Sequence, residues 1–286
     1  MRILSSISEI RTALSELRGK GSVGFVPTMG ALHAGHRSLV QAARQRCDVA
    51  VVSIFVNPTQ FALNEDFSRY PRTLDDDCRM LEGEGVDLVF TPTADMMYPP
   101  GASTFIEVAG ISERLDGASR PGHFRGVATI VAKFFHIVQP DFAFFGQKDA
   151  AQIAVLRQMV RDLNLPVEMV VCPTVRESDG LAMSSRNRYL SVVERKQALA
   201  LFRALEAAHA LAEQGEHCTA TLLQAMASRL QDEPAVRVDY VAAVDPDTLL
   251  PLEDVRSGVL LAIAAYVGST RLVDNVLLRP RAETQA

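Results

Sequence analysis

A doubly wound parallel α/β sheet followed by a smaller α+β domain is the fold this sequence predicts, on three observations. Short apolar, β-branched runs alternate with amphipathic stretches through roughly the first 175 residues. After Asn187 the pattern changes to Ala/Leu-rich helical sequence and then to strand-like runs. Hydrophobic residues make up 48% and charged residues 22% of the 286, enough apolar surface for a packed core and too much for disorder.

MRILSSISEIRTALSELRGKG opens the chain as a short strand and an amphipathic helix. Buried strands are expected at Val23–Pro27, Val49–Val56, Val86–Phe90, Phe142–Phe145 and Val167–Val171, because each is a short apolar run of strand length. Helices are expected between them at Ala34–Arg46, Leu74–Glu84, Val127–Val138 and Ala150–Leu163, where apolar residues recur at helical spacing. That rhythm builds a parallel sheet of the nucleotide-binding kind. Beyond it, helices at Val192–Gln214 and Thr219–Gln231 precede strands at Arg237–Val244 and Gly258–Val267. The boundary falls in the polar stretch Pro173–Asn187, dividing the chain into residues 1–175 and 176–286, with the end frayed from Pro280.

A net charge of -5 and pI near 5.7 provide no positive field for nucleic acid or an anionic membrane, so neither is an expected partner. Four scattered cysteines without a CxxC pair argue against zinc and disulfide frameworks. The N-terminus lacks a signal peptide's apolar core and no run is long enough to span a membrane, which makes the cytoplasm the expected location. Gly19, Gly21 and Gly24 spell GxGxxG, but they precede the first convincing strand instead of following one, so they read as a helix-ending turn.

PTMGALHAGH, Pro27–His36, lies where a strand ends and a helix begins, the edge at which open α/β sheets bind ligands. Gly30 and Gly35 allow close backbone approach, the helix N-terminus favours phosphate, and His33 and His36 add donors. Two histidines three apart would also suit zinc, or a plain surface helix start, although no Cys, His or carboxylate cluster completes a metal site. FFGQKD, Phe144–Asp149, repeats the strand-to-helix arrangement: Lys148 suits a phosphate and Asp149 a ribose, or Gly146 and Asp149 are simply turn and first-turn helix residues. The loop TVRESDGLAMSSRNRYLS, Thr174–Ser191, contains Met183, Ser184, Ser185 and Arg186, whose hydroxyls and guanidinium suit phosphate oxygens, although a polar interdomain loop with no ligand would look similar. NPTQF and RPGHFRGV offer Asn57, Gln60, Arg120 and Arg125, and with Gln152 these suit a small polar acid or, equally, structural roles. The run Asp75–Asp77 is a solvated helix start or, through Asp76 and Asp77, a water-mediated magnesium site.

Taken in order, PTMGALHAGH, FVNPTQF, EDFSRYPRT, RPGHFRGVATIVAKF, FGQKD and PTVRESDGLAMSSRN resemble the pantothenate synthetases, HxGH enzymes of the nucleotidylyltransferase superfamily. The likeness spans most of residues 20–191, and the C-terminal third agrees chiefly in layout. It implies a Rossmann-like first domain, a smaller lid domain, a homodimer, and condensation of pantoate with β-alanine through a pantoyl-adenylate, consuming ATP to AMP and pyrophosphate with Mg2+. Carried over, it assigns ATP to Met29, Gly30, Ala31, Leu32, His33, Ala34, Gly35, His36, Gly146, Gln147, Lys148, Asp149, Val175, Met183, Ser184, Ser185 and Arg186. Catalysis falls to His36 as proton donor with His33, Lys148 and Arg186; pantoate to Gln60 and Gln152, with Asn57 and Arg120 beside them; β-alanine to Gln60. The family's KDxQQ is Lys148, Asp149, Ala150, Ala151, Gln152 here, so its first glutamine is lost. An adenylyltransferase of the phosphopantetheine or nicotinamide mononucleotide type, and a regulatory ATP-binding module, are the rival readings.

Overall fold

The computed structural model describes residues 1–62 and 65–279. Strands β1 (Arg2–Leu4), β2 (Val23–Thr28), β3 (Val49–Ile54), β4 (Leu88–Phe90), β5 (Phe142–Gly146) and β6 (Glu168–Cys172) form one parallel sheet in the order β1-β4-β3-β2-β5-β6. Helices α1 (Ile7–Leu17), α2 (Ala34–Arg46), α3 (Leu74–Gly83), α4 (Ala94–Met97), α5 (Asp116–Ser119), α6 (His123–Val138) and α7 (Ala150–Asp162) connect them. In β4, Leu88 and Phe90 enter one core with α1, α6 and α7, while Val89 enters another with α2 and α3. Helices thus cover both faces, as near-continuous apolar strands require.

The remaining chain forms helices α8 (Val192–Gln197), α9 (Leu199–Glu213) and α10 (Thr219–Gln231), then an antiparallel sheet of β7 (Val236–Val244), β8 (Val259–Val267) and β9 (Thr270–Leu278). Along β8, Leu261, Ile263 and Ala265 join a core with α9 and α10. The alternate residues Leu260 and Ala262 join the main core beneath the parallel sheet. Arg271 on β9 adds ion pairs to Asp116 of α5 (2.6 Å) and Asp239 of β7 (2.8 Å).

The expected strands and helices are present with ends displaced by a residue or two, with two exceptions. The helix expected at Val192–Gln214 is interrupted at Ala198, whose N–H is shared between the carbonyls of Glu194 and Lys196 in a tightened turn. Helix α6 begins at His123 and not Val127, because Gly122 (φ 82°) turns the chain into the helix a full turn earlier. Strand β9 is an element the sequence pattern does not predict: Asp274 and Asn275 interrupt its apolar run. The glycine triplet does form the turn after α1, a 3-10 turn at Arg18–Lys20 closed by Gly21 at φ 133°. The fraying expected from Pro280 lies outside the described residues, among which no helix is long and apolar enough to cross a membrane.

Candidate active site

β2 is followed in space by β3 and β4 on one side and by β5 and β6 on the other, so the chain reverses direction across the sheet between β2 and β5. A crevice opens at the carboxyl ends of such a pair. The turn after β2 carries His33 and His36, and the turn after β5 carries Lys148 and Asp149; all four line one cleft.

The two histidines cap α2 reciprocally. His33 Nδ1 accepts from the Gly35 N–H (3.1 Å), and His36 Nδ1 accepts from the His33 N–H (3.4 Å). A backbone N–H can only donate, so both rings, when neutral, carry their proton on Nε2. Burial pushes His33 down to about 4, aided by Lys148, and His36 down to about 3, aided by His33. Their ring centroids lie 4.1 Å apart. At neutral pH the pair is therefore two uncharged donors, and His36 has no imidazolium proton to give. Gly35 is required here: a Cβ would sit 2.9 Å from the His33 ring.

The preceding turn has positive φ at both Gly30 (79°) and Ala31 (50°). Asp77 holds it. Its carboxylate accepts from the N–H of Ala31 (2.9 Å) and Leu32 (2.8 Å) and from the Thr73 hydroxyl (3.1 Å). This corrects the magnesium expectation for that residue, since both oxygens of the buried Asp77 are occupied by the loop. Asp76 points to the surface and pairs with Arg79. Neither fits a metal, and the described residues contain no group of three or more His, Cys, Asp or Glu able to hold one.

The third loop closes over these turns. Ser185 Oγ donates to the Ala31 carbonyl (3.1 Å), and Arg186 grips Asp66 with two bonds of 2.9 and 3.0 Å. Lys148 Nζ lies 3.4 Å from Asp149 Oδ1. The Asp149 side chain is half open to solvent yet surrounded by the cleft walls. Crowding by protein works against its charge, and Lys148, Arg186 and His36 outweigh it, leaving its carboxyl below the usual range. Gly30, Ala31, Leu32 and Ala34 shape the turn without lining the cleft, and Gln147 is turned away toward Asn275 of β9 (3.0 Å).

On the acid side, Gln60 is fixed at both ends. Its side-chain oxygen accepts from Asn57 Nδ2 (3.0 Å), which leaves the amide NH2 to donate, with Met29 Sδ as a weak neighbour at 3.2 Å. Its carbonyl accepts from His123 Nδ1 (2.8 Å) and Arg120 (3.3 Å). Gln152 lines the same cleft and makes no hydrogen bond within the described protein. Ala151, where the family's first glutamine would stand, is buried in the main core.

Two expected acid ligands have other partners. Asn57, 1% exposed, also donates to the Gly126 carbonyl (3.2 Å) and accepts from Thr59 (3.0 Å) and Tyr98 (2.8 Å), so no hydrogen-bonding group of its side chain is left for a substrate. Arg120 is paired with Glu65 (2.6 and 2.7 Å) and donates to His123 Nε2 (2.9 Å), so its charge is already neutralised. His123 and Glu65 escaped the sequence reading, although RPGHFRGV contains the first and EDFSRYPRT the second. Burial, then Arg120, pushes His123 down to about 4, so it bridges Arg120 and Gln60 as a neutral ring.

The chain is similar to known proteins over nearly its whole length. A sequence model of the family described as Pantoate-beta-alanine ligase matches residues 2–277. The chain is 62% identical to the pantothenate synthetase of Acidobacterium capsulatum, covering 97% of each. It is 52% identical to that of Koribacter versatilis, covering 98% and 96%. The pantothenate synthetase structure from Thermus thermophilus superposes with a TM-score of 0.94 at 49% identity, covering 98% of this chain and all of that one. A pantoate-beta-alanine ligase from Francisella tularensis, solved with beta-gamma ATP and beta-alanine, superposes at 0.80 with 33% identity, covering 97% of each. With the match running through both sheets and every loop of the cleft, the chain belongs to the pantoate-beta-alanine ligase family.

Proposed function

We propose that this enzyme condenses pantoate with β-alanine in two steps at the β2/β5 cleft, consuming ATP to AMP and pyrophosphate. A free carboxylate resists an amine because its leaving group would be oxide. The pantoate carboxylate therefore attacks the α-phosphorus of ATP, expelling pyrophosphate, and AMP becomes the leaving group of the second step. The observation that carries this reading is the cluster of donors at one sheet edge: two neutral histidines, Lys148 and the N-terminus of α2.

Charge grows on the phosphate oxygens during adenylation, and preorganised donors meet it without reorganising. The Gln60 NH2 and the unpartnered Gln152 amide suit pantoate's carboxylate and hydroxyls, and Gln60 also suits the β-alanine carboxylate. Arg186, tied to Asp66, then serves mainly to hold the third loop near the phosphates. In the second step the neutral amine of β-alanine attacks the acyl carbonyl, AMP departs, and the amine loses a proton. Water must be kept out meanwhile, because it would hydrolyse the adenylate. Since Asp76 and Asp77 do not fit magnesium, neither residue enters this scheme.

AMP formation that requires both pantoate and β-alanine is the expected result. An adenylyltransferase would instead leave AMP joined to its product, and a regulatory module would bind ATP without turnover. The same reading makes residues 1–175 the ATP- and pantoate-binding domain, residues 176–286 a covering domain, and the enzyme a cytoplasmic homodimer. Sedimentation at micromolar concentration should give twice the chain mass.

A further inference from the structure

Two adjacent polar residues of β9, Asp274 and Asn275, are 3% and 5% exposed. Successive strand residues face opposite ways, so each serves a different neighbour. Asp274 receives Arg176 through two bonds of 2.6 and 3.0 Å, and Arg176 also donates to the Gly180 carbonyl (3.0 Å), bracing the loop that leads to Met183. Asn275 uses its whole side chain on the turn after β5. Its Oδ1 accepts from Gln147 Nε2 (3.0 Å), and its Nδ2 donates to the carbonyls of Gln147 (3.0 Å) and Lys148 (2.8 Å).

In a trans peptide the C=O and the following N–H point in opposite directions. By taking the carbonyls of Gln147 and Lys148 toward β9, Asn275 turns the N–H groups of Lys148 and Asp149 away from it. Lys148 and Asp149 line the cleft. We propose that Asn275 is a positioning residue, which aims the Lys148 N–H group and the Lys148 side chain at the nucleotide phosphates, the Asp149 N–H closing the 3-10 turn at Gln147–Asp149. The inference rests on the function proposed above. It gives the antiparallel sheet a share in adenylation even though Asn275 lies outside the cleft wall.

The test compares Asn275→Ala with Leu277→Ala, a half-buried core truncation in the same strand, by melting temperature, ATP titration and single-turnover adenylation below both melting points. Misplacing these donors should weaken ATP binding and slow adenylation, together by about 10- to 100-fold. The KM for β-alanine should stay unchanged, and Leu277→Ala should lose stability without that selective loss. Combining Asn275→Ala with Lys148→Ala should cost less than the product of the two single effects. ATP affinity and adenylation within twofold of wild type, or losses equal to those of Leu277→Ala, overturn the proposal. If Asn275→Ala does not fold, Asn275→Ser replaces it; failure of both makes the residue structural and removes the proposal. Wild-type enzyme that binds ATP but forms no AMP with pantoate and β-alanine would refute the reaction, while weakened ATP binding in Asn275→Ala would still support the positioning role.

Discussion

Asp77 reaches from the first turn of α3 to the backbone of Leu32, 2.8 Å away, and so fixes the turn that presents the histidines from a helix other than their own. Truncation in Asp77→Ala strands the N–H groups of Ala31 and Leu32, at a cost of roughly 1 to 3 kcal/mol each if they remain dry. The variant should melt lower and bind ATP more weakly, with a smaller change in the KM for pantoate. Calorimetry paired with ATP titration checks this; unchanged ATP affinity in a folded variant would contradict the holding role. Asp77→Asn should recover part of the loss, because its oxygen can still accept from one of the two backbone N–H groups while its NH2 faces the other.

Gly126 lies within α6, where a Cβ would come 2.3 Å from the Thr59 carbonyl and 2.7 Å from the Gln60 nitrogen. Gly126→Ala should therefore push the NPTQ turn away and carry Gln60 with it. Overpacking of this kind costs about 1 to 3 kcal/mol. Steady-state kinetics should show pantoate kcat/KM falling more than ATP affinity. An equal loss for both substrates would mean the displacement spreads across the cleft.

Lys148→Ala should slow adenylation by about 10² to 10³-fold while leaving ATP binding within a few-fold, because its charge matters most as phosphate charge develops. Rapid-quench measurement of a single turnover separates the two. A raised ATP dissociation constant with a normal adenylation rate would assign Lys148 to ground-state binding.

The depressed histidines make stability depend on acid. His33 and His123 titrate near 4 and His36 near 3 when folded, against about 6.5 when unfolded. Between those values the unfolded chain binds more protons, so stability should fall as pH drops from about 6.5 toward 4 and level off above 7. Each histidine contributes at most about 1.4 kcal/mol per pH unit in that window. His36→Asn should flatten the dependence, as a series of melts from pH 4 to 8 would show. ATP should shift the fall to lower pH if it binds the neutral pair, and bind more tightly in acid if it recruits a proton to His36.

Much of the parallel sheet and all three cleft loops were legible in the sequence, because strand-to-helix turns rich in Gly, His and Lys announce both their geometry and their chemistry. The supporting residues were not. Asp77 looked like one of three solvated acids, since nothing local shows that its carboxylate reaches a turn 45 residues earlier. Asn57 and Arg120 carry the right groups for an acid, but their partners Tyr98, Gly126 and Glu65 are brought to them only by folding. Asn275 sits in a strand whose alternation it breaks, so the polar pair hid the strand that needed it.

The double allegiance of β8 limits how the cleft can open. Swinging the antiparallel sheet outward about a hinge would part Leu260 and Ala262 from the main core, and baring one leucine alone costs about 1.5 to 3 kcal/mol. It would also strain the ion pair that Arg271 makes with Asp116 of α5 across the same junction. Sliding by roughly an ångström or two preserves those contacts, so admission of substrates and release of products should proceed by shear and by movement of the loop that carries Ser185 and Arg186.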